Sequence, residues 1–190
     1  MVHLPNILSL FRILLVPVLV AVLLTKFEGK EFVGLGVFLV AAATDFLDGY
    51  LARRHGRVTR LGKLLDPAAD KILMSAAFIS LVELELAPAW MVAVIVAREF
   101  AVSTLRSVLV AENILVASTW SGKVKTGTQI VAVSVLIVQH QLGEFSRLAP
   151  AALWVALITT VYSGVEYFLR YSPQLVELWR ADRRNGGSAG

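Results

Sequence analysis

The sequence DFLDGYLARRHGRVTRLGKLLDPAAD, residues 45–70, holds four of the five aspartates in a chain of 190 residues. Asp45 and Asp48 are three residues apart, so a helix would project both carboxylates from one face. Asp66 and Asp70 are four apart and would do the same on a following helix. The segment between the two pairs is long enough for one helix to end, turn and lead into a second. We therefore predict two neighbouring helices whose ends bring four carboxylates together.

These four carboxylates predict a divalent-metal site. Carboxylates at close range repel one another unless a cation compensates them. The chain has no cysteine, and the stretch has no cluster of histidines, so its oxygen ligands suit Mg²⁺ or Mn²⁺ rather than zinc. The small residues Gly49, Ala52 and Gly62 leave room beside the metal for a phosphorylated ligand, and Arg53 supplies a planar cation for phosphate oxygens. The alternative interpretation is that the aspartates are solvated charges at helix ends.

The composition, with 57% hydrophobic and 17% charged residues, excludes a soluble globular domain. Strand-like alternation is absent, and backbone groups in lipid must be satisfied within the chain, so we predict an all-α, polytopic membrane protein. It has six transmembrane helices, at residues 8–25, 31–54, 63–85, 88–111, 123–142 and 148–170. These helices form one membrane domain over residues 1–180, and the polar, glycine-rich segment 181–190 is a disordered tail.

The distribution of charge predicts the orientation. The net charge is +4, and basic residues are concentrated around the turn between the second and third spans and from the end of the sixth span onward: Arg53, Arg54, Arg57, Arg60, Lys63, then Arg170, Arg180, Arg183 and Arg184. The turns on the opposite side are close to electrical balance. The positive-inside rule therefore predicts that both termini and the aspartate cluster are cytoplasmic. The basic face favours anionic lipid headgroups, and this distribution argues against nucleic acid as a partner.

The fourth predicted span carries charges near its middle. Arg98 and Glu99 would each cost about 2.5–3.5 kcal/mol on insertion scales, so such groups normally face the bundle interior. We interpret Arg98 and Arg106, with Lys123 and Lys125 at the start of the fifth span, as a pocket for an anion. The alternatives are a purely structural Arg98–Glu99 network and, for the lysines, simple anchoring at the membrane surface.

Two further charged residues have no assigned role. Arg12, in the first span, either extends to the lipid headgroups or points inward toward a substrate phosphate. Glu166, in the sixth span, has no obvious partner in the sequence. A structural network or a contact between subunits would each account for it.

The order D-x-x-D-G-x-x-A-R, eight residues, then G-x-x-x-D-x-x-x-D is met without departure between Asp45 and Asp70. This pattern resembles the signature of the CDP-alcohol phosphatidyltransferases. The segments LPNILSLFR, REFAVSTLR and SGKVKTGTQ resemble the phosphatidylglycerophosphate synthase branch of that family. The resemblance thus extends over nearly the whole chain.

The resemblance implies a homodimeric enzyme of a bacterial-type inner or plasma membrane, a CDP-diacylglycerol–glycerol-3-phosphate 3-phosphatidyltransferase. It would move the phosphatidyl group of CDP-diacylglycerol to sn-glycerol 3-phosphate, releasing CMP. Matching the motif implies that Asp45, Asp48, Asp66 and Asp70 bind metal ions and that Asp70 is also the general base. It further implies a site for CDP-diacylglycerol formed by Gly49, Ala52, Arg53, Gly62 and Asn6. Arg98, Arg106, Lys123 and Lys125 are then the candidates for binding glycerol phosphate.

Two alternatives remain open. Within the same family, the acceptor would be another alcohol, such as inositol phosphate, serine or phosphatidylglycerol, although an uncharged acceptor would not require four basic residues. In another class, the aspartates would coordinate a divalent cation passing through a transporter. A transporter requires a polar path across the bilayer, whereas the outer half of the second span is unbroken apolar sequence.

Overall fold

A computed structural model of the chain describes residues 4–55, 60–112, 114, 116 and 119–186. Side chains are described for residues 9–44, 68–112, 114, 116, 119–174, 176 and 180. The described residues form helices and no strands, which confirms the all-α part of the predicted fold class, whereas the six membrane spans stay a prediction. Its six α-helices are α1 (Leu4–Leu24), α2 (Lys30–His55), α3 (Arg60–Glu83), α4 (Ala89–Ala111), α5 (Trp120–Ile137) and α6 (Leu148–Gly186).

The ends of the helices agree with the predicted segments at most positions. The two clearest differences are at the ends of α5 and α6: α5 ends at Ile137, whereas the prediction extended to residue 142, and α6 continues beyond its predicted end at residue 170. Two short 3₁₀ turns, Gln139–Gln141 and Gly143–Arg147, follow α5 and lead into α6. Helix α6 continues as far as Gly186, across the beginning of the segment 181–190 for which a disordered tail was predicted.

Two apolar clusters hold the helices together. The larger is built by all six helices, with Leu19, Phe38 and Phe78 among its fully buried side chains. The smaller joins α4 and α6, where Leu105 and Leu109 pack against the tilted pair of Tyr167 and Tyr171. Within the bundle, α5 packs along α6, α1 packs against α2 and α3, and α4 packs against α6. Burial of these side chains supplies the main stabilisation of the fold.

A layer of polar residues lies between the two clusters along α4 and α6. On α4, Ile95 belongs to the larger cluster and Val102 to the smaller one, and Arg98 and Glu99 lie between them. On α6, Leu157 and Tyr167 bracket buried polar side chains in the same way. The charges that the sequence predicts to face inward are therefore at the centre of the helix packing.

Large apolar side chains are exposed on all six helices. Examples are Leu14 on α1, Phe32 on α2, Ile79 on α3, Phe100 on α4, and Leu169 on α6, each at least half exposed. Among the described residues, one helical segment, Gly143–Gln174, is long and apolar enough to cross a membrane, and Ser9–Leu24 is apolar but shorter.

Candidate active site

A single carboxylate oxygen organises the polar layer. Glu99 Oε1, on α4, accepts hydrogen bonds from Lys125 Nζ at 2.7 Å and Arg98 Nη1 at 3.1 Å. It also accepts a longer bond, of 3.3 Å, from Gln129 Nε2 on α5. The contacts with Lys125 and Arg98 are ion pairs between largely buried side chains. Buried charges of this kind are stable only when they are paired and hydrogen-bonded. Glu99 provides both an ion pair and a hydrogen bond to Arg98 and to Lys125.

Helix α6 completes the network from the opposite side. Ser163 Oγ accepts a hydrogen bond from Arg98 Nη2 at 2.8 Å, and Thr160 Oγ1 accepts one from Gln129 Nε2 at 2.9 Å. Gln129, Thr160 and Ser163 are all buried. Three helices therefore fix the orientation of the two cations, Arg98 and Lys125.

The cations keep hydrogen-bonding capacity beyond these contacts. An ammonium group has three donors, and Lys125 uses one of them on Glu99. A guanidinium has five N–H donors, two of them on each terminal nitrogen. The described contacts of Arg98 use one donor on Nη1 and one on Nη2. Unused N–H donors of this kind are chemically suited to phosphate, which offers several acceptor oxygens.

Lys71 connects this cluster to α3. Its Nζ donates a hydrogen bond to Ser103 Oγ on α4, one turn from Glu99. The ammonium interacts electrostatically with two carboxylates and two cations: Glu99, Asp70, Arg106 and Lys125. Lys71 thus lies between Asp70, at the end of the aspartate motif, and the cations of α4 and α5.

Comparison with known proteins identifies the family. A family model described as CDP-alcohol phosphatidyltransferase matches residues 2–162. The chain belongs to the CDP-alcohol phosphatidyltransferase family. It is 46% identical over 182 residues to a CDP-diacylglycerol--glycerol-3-phosphate 3-phosphatidyltransferase of Bacillus subtilis (strain 168), covering 88% of this chain and 94% of that protein.

More distant members give the same picture. A CDP-diacylglycerol--glycerol-3-phosphate 3-phosphatidyltransferase of Salmonella choleraesuis is 37% identical over 172 residues, covering 87% of this chain and 92% of that protein. A probable phosphatidylglycerophosphate synthase of Mycobacterium tuberculosis (strain H37Rv) is 36% identical over 174 residues, covering 88% of this chain and 81% of that protein. The resemblance inferred from the aspartate motif is therefore confirmed at the level of the family and its branch.

The structure describes only part of the predicted phosphatidyltransferase motif. Asp70 lies on α3 and is partly buried. For the other motif residues, and for Asn6, the backbone is helical but the side chains lie outside those described: Asp45, Asp48, Gly49, Ala52, Arg53, Gly62 and Asp66. Among the described side chains, no group of three or more His, Cys, Asp or Glu residues could hold a metal ion. The predicted cluster therefore stays a prediction.

The four basic residues assigned to the acceptor of this family differ in their surroundings. Arg98 and Lys125 are in the buried network. Arg106 is exposed and interacts electrostatically with Lys71, which puts it at the edge of the cluster. Lys123 is also exposed, and none of the described hydrogen bonds or ion pairs joins it to Glu99 or its neighbours. The described structure therefore brings two of the four together and does not add Lys123 to them.

Arg12 and Glu166 also differ in burial. Arg12 is fully buried, which favours the inward orientation over an extension to lipid headgroups. Glu166 lies instead at the edge of a cavity of about 320 Å³ between the start of α5 and α6, which Trp120 and Tyr162 also line. It is separate from the network around Glu99 in the described contacts.

Sequence analysis did not identify Thr160 and Ser163 as site residues. Both lie in the apolar sixth segment at positions three apart, so they share a face of α6. Two small polar residues on one face of an otherwise apolar helix are the signal that could have indicated them.

Proposed function

We propose that this chain is a CDP-diacylglycerol–glycerol-3-phosphate 3-phosphatidyltransferase. It transfers the phosphatidyl group of CDP-diacylglycerol to sn-glycerol 3-phosphate, giving phosphatidylglycerophosphate and CMP. Relatives at 46% and 37% identity over most of the chain carry this name. The structural observation that supports the proposal is the buried pair of cations, Arg98 and Lys125. Both are ion-paired with Glu99 and keep N–H donors that these contacts do not use.

The acceptor pocket needs such a pair because sn-glycerol 3-phosphate carries a phosphate that takes no part in bond formation. Arg98 and Lys125 bind this phosphate and so hold the far end of the acceptor. Binding energy at the distant phosphate is then available to orient the reacting hydroxyl. An acceptor without a phosphate would leave these buried cations with Glu99 as their only described ion-pair partner and would gain no such orientation.

The reacting hydroxyl points toward Asp70 in this proposal. Its oxygen attacks the phosphorus that bears diacylglycerol, a new P–O bond forms, and the P–O bond to CMP breaks. The proton of the hydroxyl passes to the Asp70 carboxylate, and CMP leaves with the electron pair of the broken bond. Lys71 supports the geometry, because its ammonium interacts with Asp70 on its own helix and is hydrogen-bonded to Ser103 on α4.

We propose that Asp45, Asp48, Asp66 and Asp70 hold Mg²⁺ or Mn²⁺. Their helical backbones put each pair about one turn apart, on α2 and on α3, and an all-oxygen donor set fits these ions. Bound divalent cations would neutralise the pyrophosphate of the liponucleotide. The remaining motif residues form the proposed site for CDP-diacylglycerol: Gly49, Ala52, Arg53, Gly62 and Asn6.

We also propose that the six helices span a membrane, with both termini and the active site cytoplasmic. Support comes from the arrangement of the bundle, which has charged side chains buried at its centre and large apolar side chains exposed on every helix. A water-soluble bundle would not expose apolar area on this scale, and the proposed lipid substrate is itself confined to a bilayer. The membrane domain over residues 1–180 and its assembly as a homodimer belong to the same proposal.

The test is an assay of the purified protein in detergent or vesicles with CDP-diacylglycerol and Mg²⁺. Release of CMP is measured with sn-glycerol 3-phosphate and, in parallel, with inositol phosphate, serine and phosphatidylglycerol. We expect release with glycerol 3-phosphate. Release with a different alcohol alone would assign the chain to another acceptor within the family.

A second arm examines the metal and the competing transport function. Chelation with EDTA is expected to abolish CMP release, and either Mg²⁺ or Mn²⁺ is expected to restore it. Synthesis unaffected by EDTA would remove the metal from the proposal. Flux of divalent cations into protein-containing vesicles, without turnover of nucleotide, would favour a transporter instead.

A further inference from the structure

Helix α6 presents a notch, formed by Ser163 and Gly164, to the side chain of Arg98. Ser163 Oγ accepts the hydrogen bond from Arg98 Nη2 at 2.8 Å. A Cβ atom at Gly164 would lie 3.0 Å from Arg98 Cγ and 3.2 Å from Arg98 Nε. The Arg98 side chain therefore lies close to the backbone of Gly164, and its Nη2 atom is hydrogen-bonded to the preceding residue, Ser163.

The close approach at Gly164 leaves little freedom for Arg98. The crowded atoms include Cγ, near the root of the side chain, so relief would require the whole arginine to move rather than only its tip. Contacts of 3.0 Å are tighter than ordinary packing of carbon atoms, and a well-packed interior resists such changes. A Cβ at this position would therefore require the Arg98 side chain to shift by a few tenths of an ångström, beginning at Cγ.

Ser163 also connects Arg98 to the start of α5. Its Oγ is 3.5 Å from Ser121 Oγ, which in turn donates a hydrogen bond to Thr119 Oγ1 at 3.0 Å. Thr119 is the N-cap of α5 and accepts a hydrogen bond from Gly122 N. The notch therefore links Arg98 to the end of α5 from which Lys125 reaches Glu99.

Both notch residues lie outside residues 2–162, the part of the chain matched by the family model.

We propose that Ser163 and Gly164 are positioning residues that orient Arg98 toward the phosphate of the acceptor. This inference rests on the proposed function, because it assigns Arg98 to the acceptor. A guanidinium binds phosphate through directed N–H groups, so its orientation determines how many hydrogen bonds it makes. The notch acts through Arg98 and does not itself contact substrate.

The first test is Gly164→Ala, with Gly36→Ala as the matched control. Both glycines lie in helices, but a Cβ at Gly36 would meet nothing within 4 Å. We expect Gly164→Ala to raise KM for glycerol 3-phosphate by about tenfold, the scale of one lost hydrogen bond to a charged group. KM for CDP-diacylglycerol should stay within about twofold of wild type, and Gly36→Ala should leave both values unchanged.

A second variant tests the same inference if Gly164→Ala does not fold. Ser163→Ala removes the hydrogen-bond acceptor of Arg98 Nη2 without adding volume and should also raise KM for the acceptor selectively. Ser163→Thr, which restores a hydroxyl, should recover most of the acceptor affinity. Equal increases in both KM values, or none in either variant, would overturn the inference.

A double-variant comparison shows whether the notch acts through Arg98. In an Arg98→Ala background there is no Cγ or guanidinium to displace, so adding Gly164→Ala should produce no further rise in KM for the acceptor. Additive effects would mean that Gly164 acts only through helix packing. A wild-type protein that releases no CMP with glycerol 3-phosphate would refute the proposed function itself, whereas an active wild type with an unaffected Gly164→Ala refutes the notch alone.

Discussion

Lys125 Nζ lies 2.7 Å from Glu99 Oε1, and the two side chains are only 8% and 12% exposed. Arg98 shares the same oxygen, so one carboxylate serves two buried cations. Such pairing explains how two cations can be buried in the absence of a ligand. Glu99 compensates part of the positive charge, and in the proposed function the remaining donors and charge bind the phosphate of the acceptor.

The first prediction concerns Glu99→Gln. Glutamine keeps an oxygen that accepts hydrogen bonds but removes the negative charge, leaving Arg98 and Lys125 to repel each other in a buried site. We expect a loss in the free energy of unfolding on the order of 3 kcal/mol, the lower end for breaking a buried ion pair. Thermal unfolding in detergent, followed by circular dichroism, measures this as a lower Tm.

Glu83→Gln serves as its control, because Glu83 is exposed at the end of α3. An exposed carboxylate contributes little to stability, so the Tm of this variant should equal that of wild type. If both variants had the same Tm, Glu99 would not be the residue that stabilises the cations.

The second prediction compares two lysines of α5. Lys125→Ala removes a buried cation from the proposed acceptor pocket and should raise KM for glycerol 3-phosphate by tenfold or more, with a smaller change for CDP-diacylglycerol. Lys123→Ala removes an exposed side chain and should have a clearly smaller effect. Steady-state release of CMP at varied acceptor concentration measures both, and Lys26→Ala, in the exposed turn before α2, is the control. A larger effect at Lys123 would mean that the acceptor binds outside the buried network.

Most of the helical architecture could be predicted from the sequence because apolar run length limits helix length in this chain. Helix α2, predicted as residues 31–54, extends over Lys30–His55. The continuation of α6 to Gly186 could not be predicted in this way, since its last turns are polar and carry no apolar run. The 3₁₀ turns after Ile137 were likewise not predicted, because the fifth predicted span was extended to residue 142 across the polar segment Gln139–Gln141.

The candidate site was predictable in part. Charges within an apolar segment normally face the interior, and this argument predicted that Arg98 and Glu99 face inward, where both side chains are largely buried. It did not separate Lys125 from Lys123, although residues two apart on a helix face different directions. The role of Glu99 as a shared acceptor depends on how α4, α5 and α6 are rotated against one another, and a single sequence does not contain that information directly.

The third prediction concerns the turn before α2. Gly29 has a φ of +77°, and a Cβ there would meet nothing within 4 Å, so any cost of Gly29→Ala comes from the backbone alone. A left-handed conformation costs an L-residue about 1–2 kcal/mol, which should lower the stability. Gly36→Ala, in the second turn of α2 and also in open space, should instead stabilise the protein by about 0.5–1 kcal/mol. Opposite shifts in Tm are expected, and shifts of the same sign would contradict the conformation of Gly29.

The fourth prediction concerns Asp70, the proposed base. Asp70→Asn keeps the size of the side chain but cannot accept the proton of the attacking hydroxyl. We expect turnover to fall by about 10²–10⁴-fold, the usual contribution of general base catalysis, while CDP-diacylglycerol binding is largely retained. Asp66→Asn, which in our proposal only binds metal, should weaken binding and turnover together. The two variants are compared by single-turnover CMP release and by equilibrium binding of the liponucleotide.

Asp182→Asn is the matched control, because Asp182 is the one aspartate outside the motif. It should behave as wild type in both measurements. Wild-type turnover in Asp70→Asn would remove this residue from the base role. In that case the proton of the attacking hydroxyl would have to pass to a group other than Asp70.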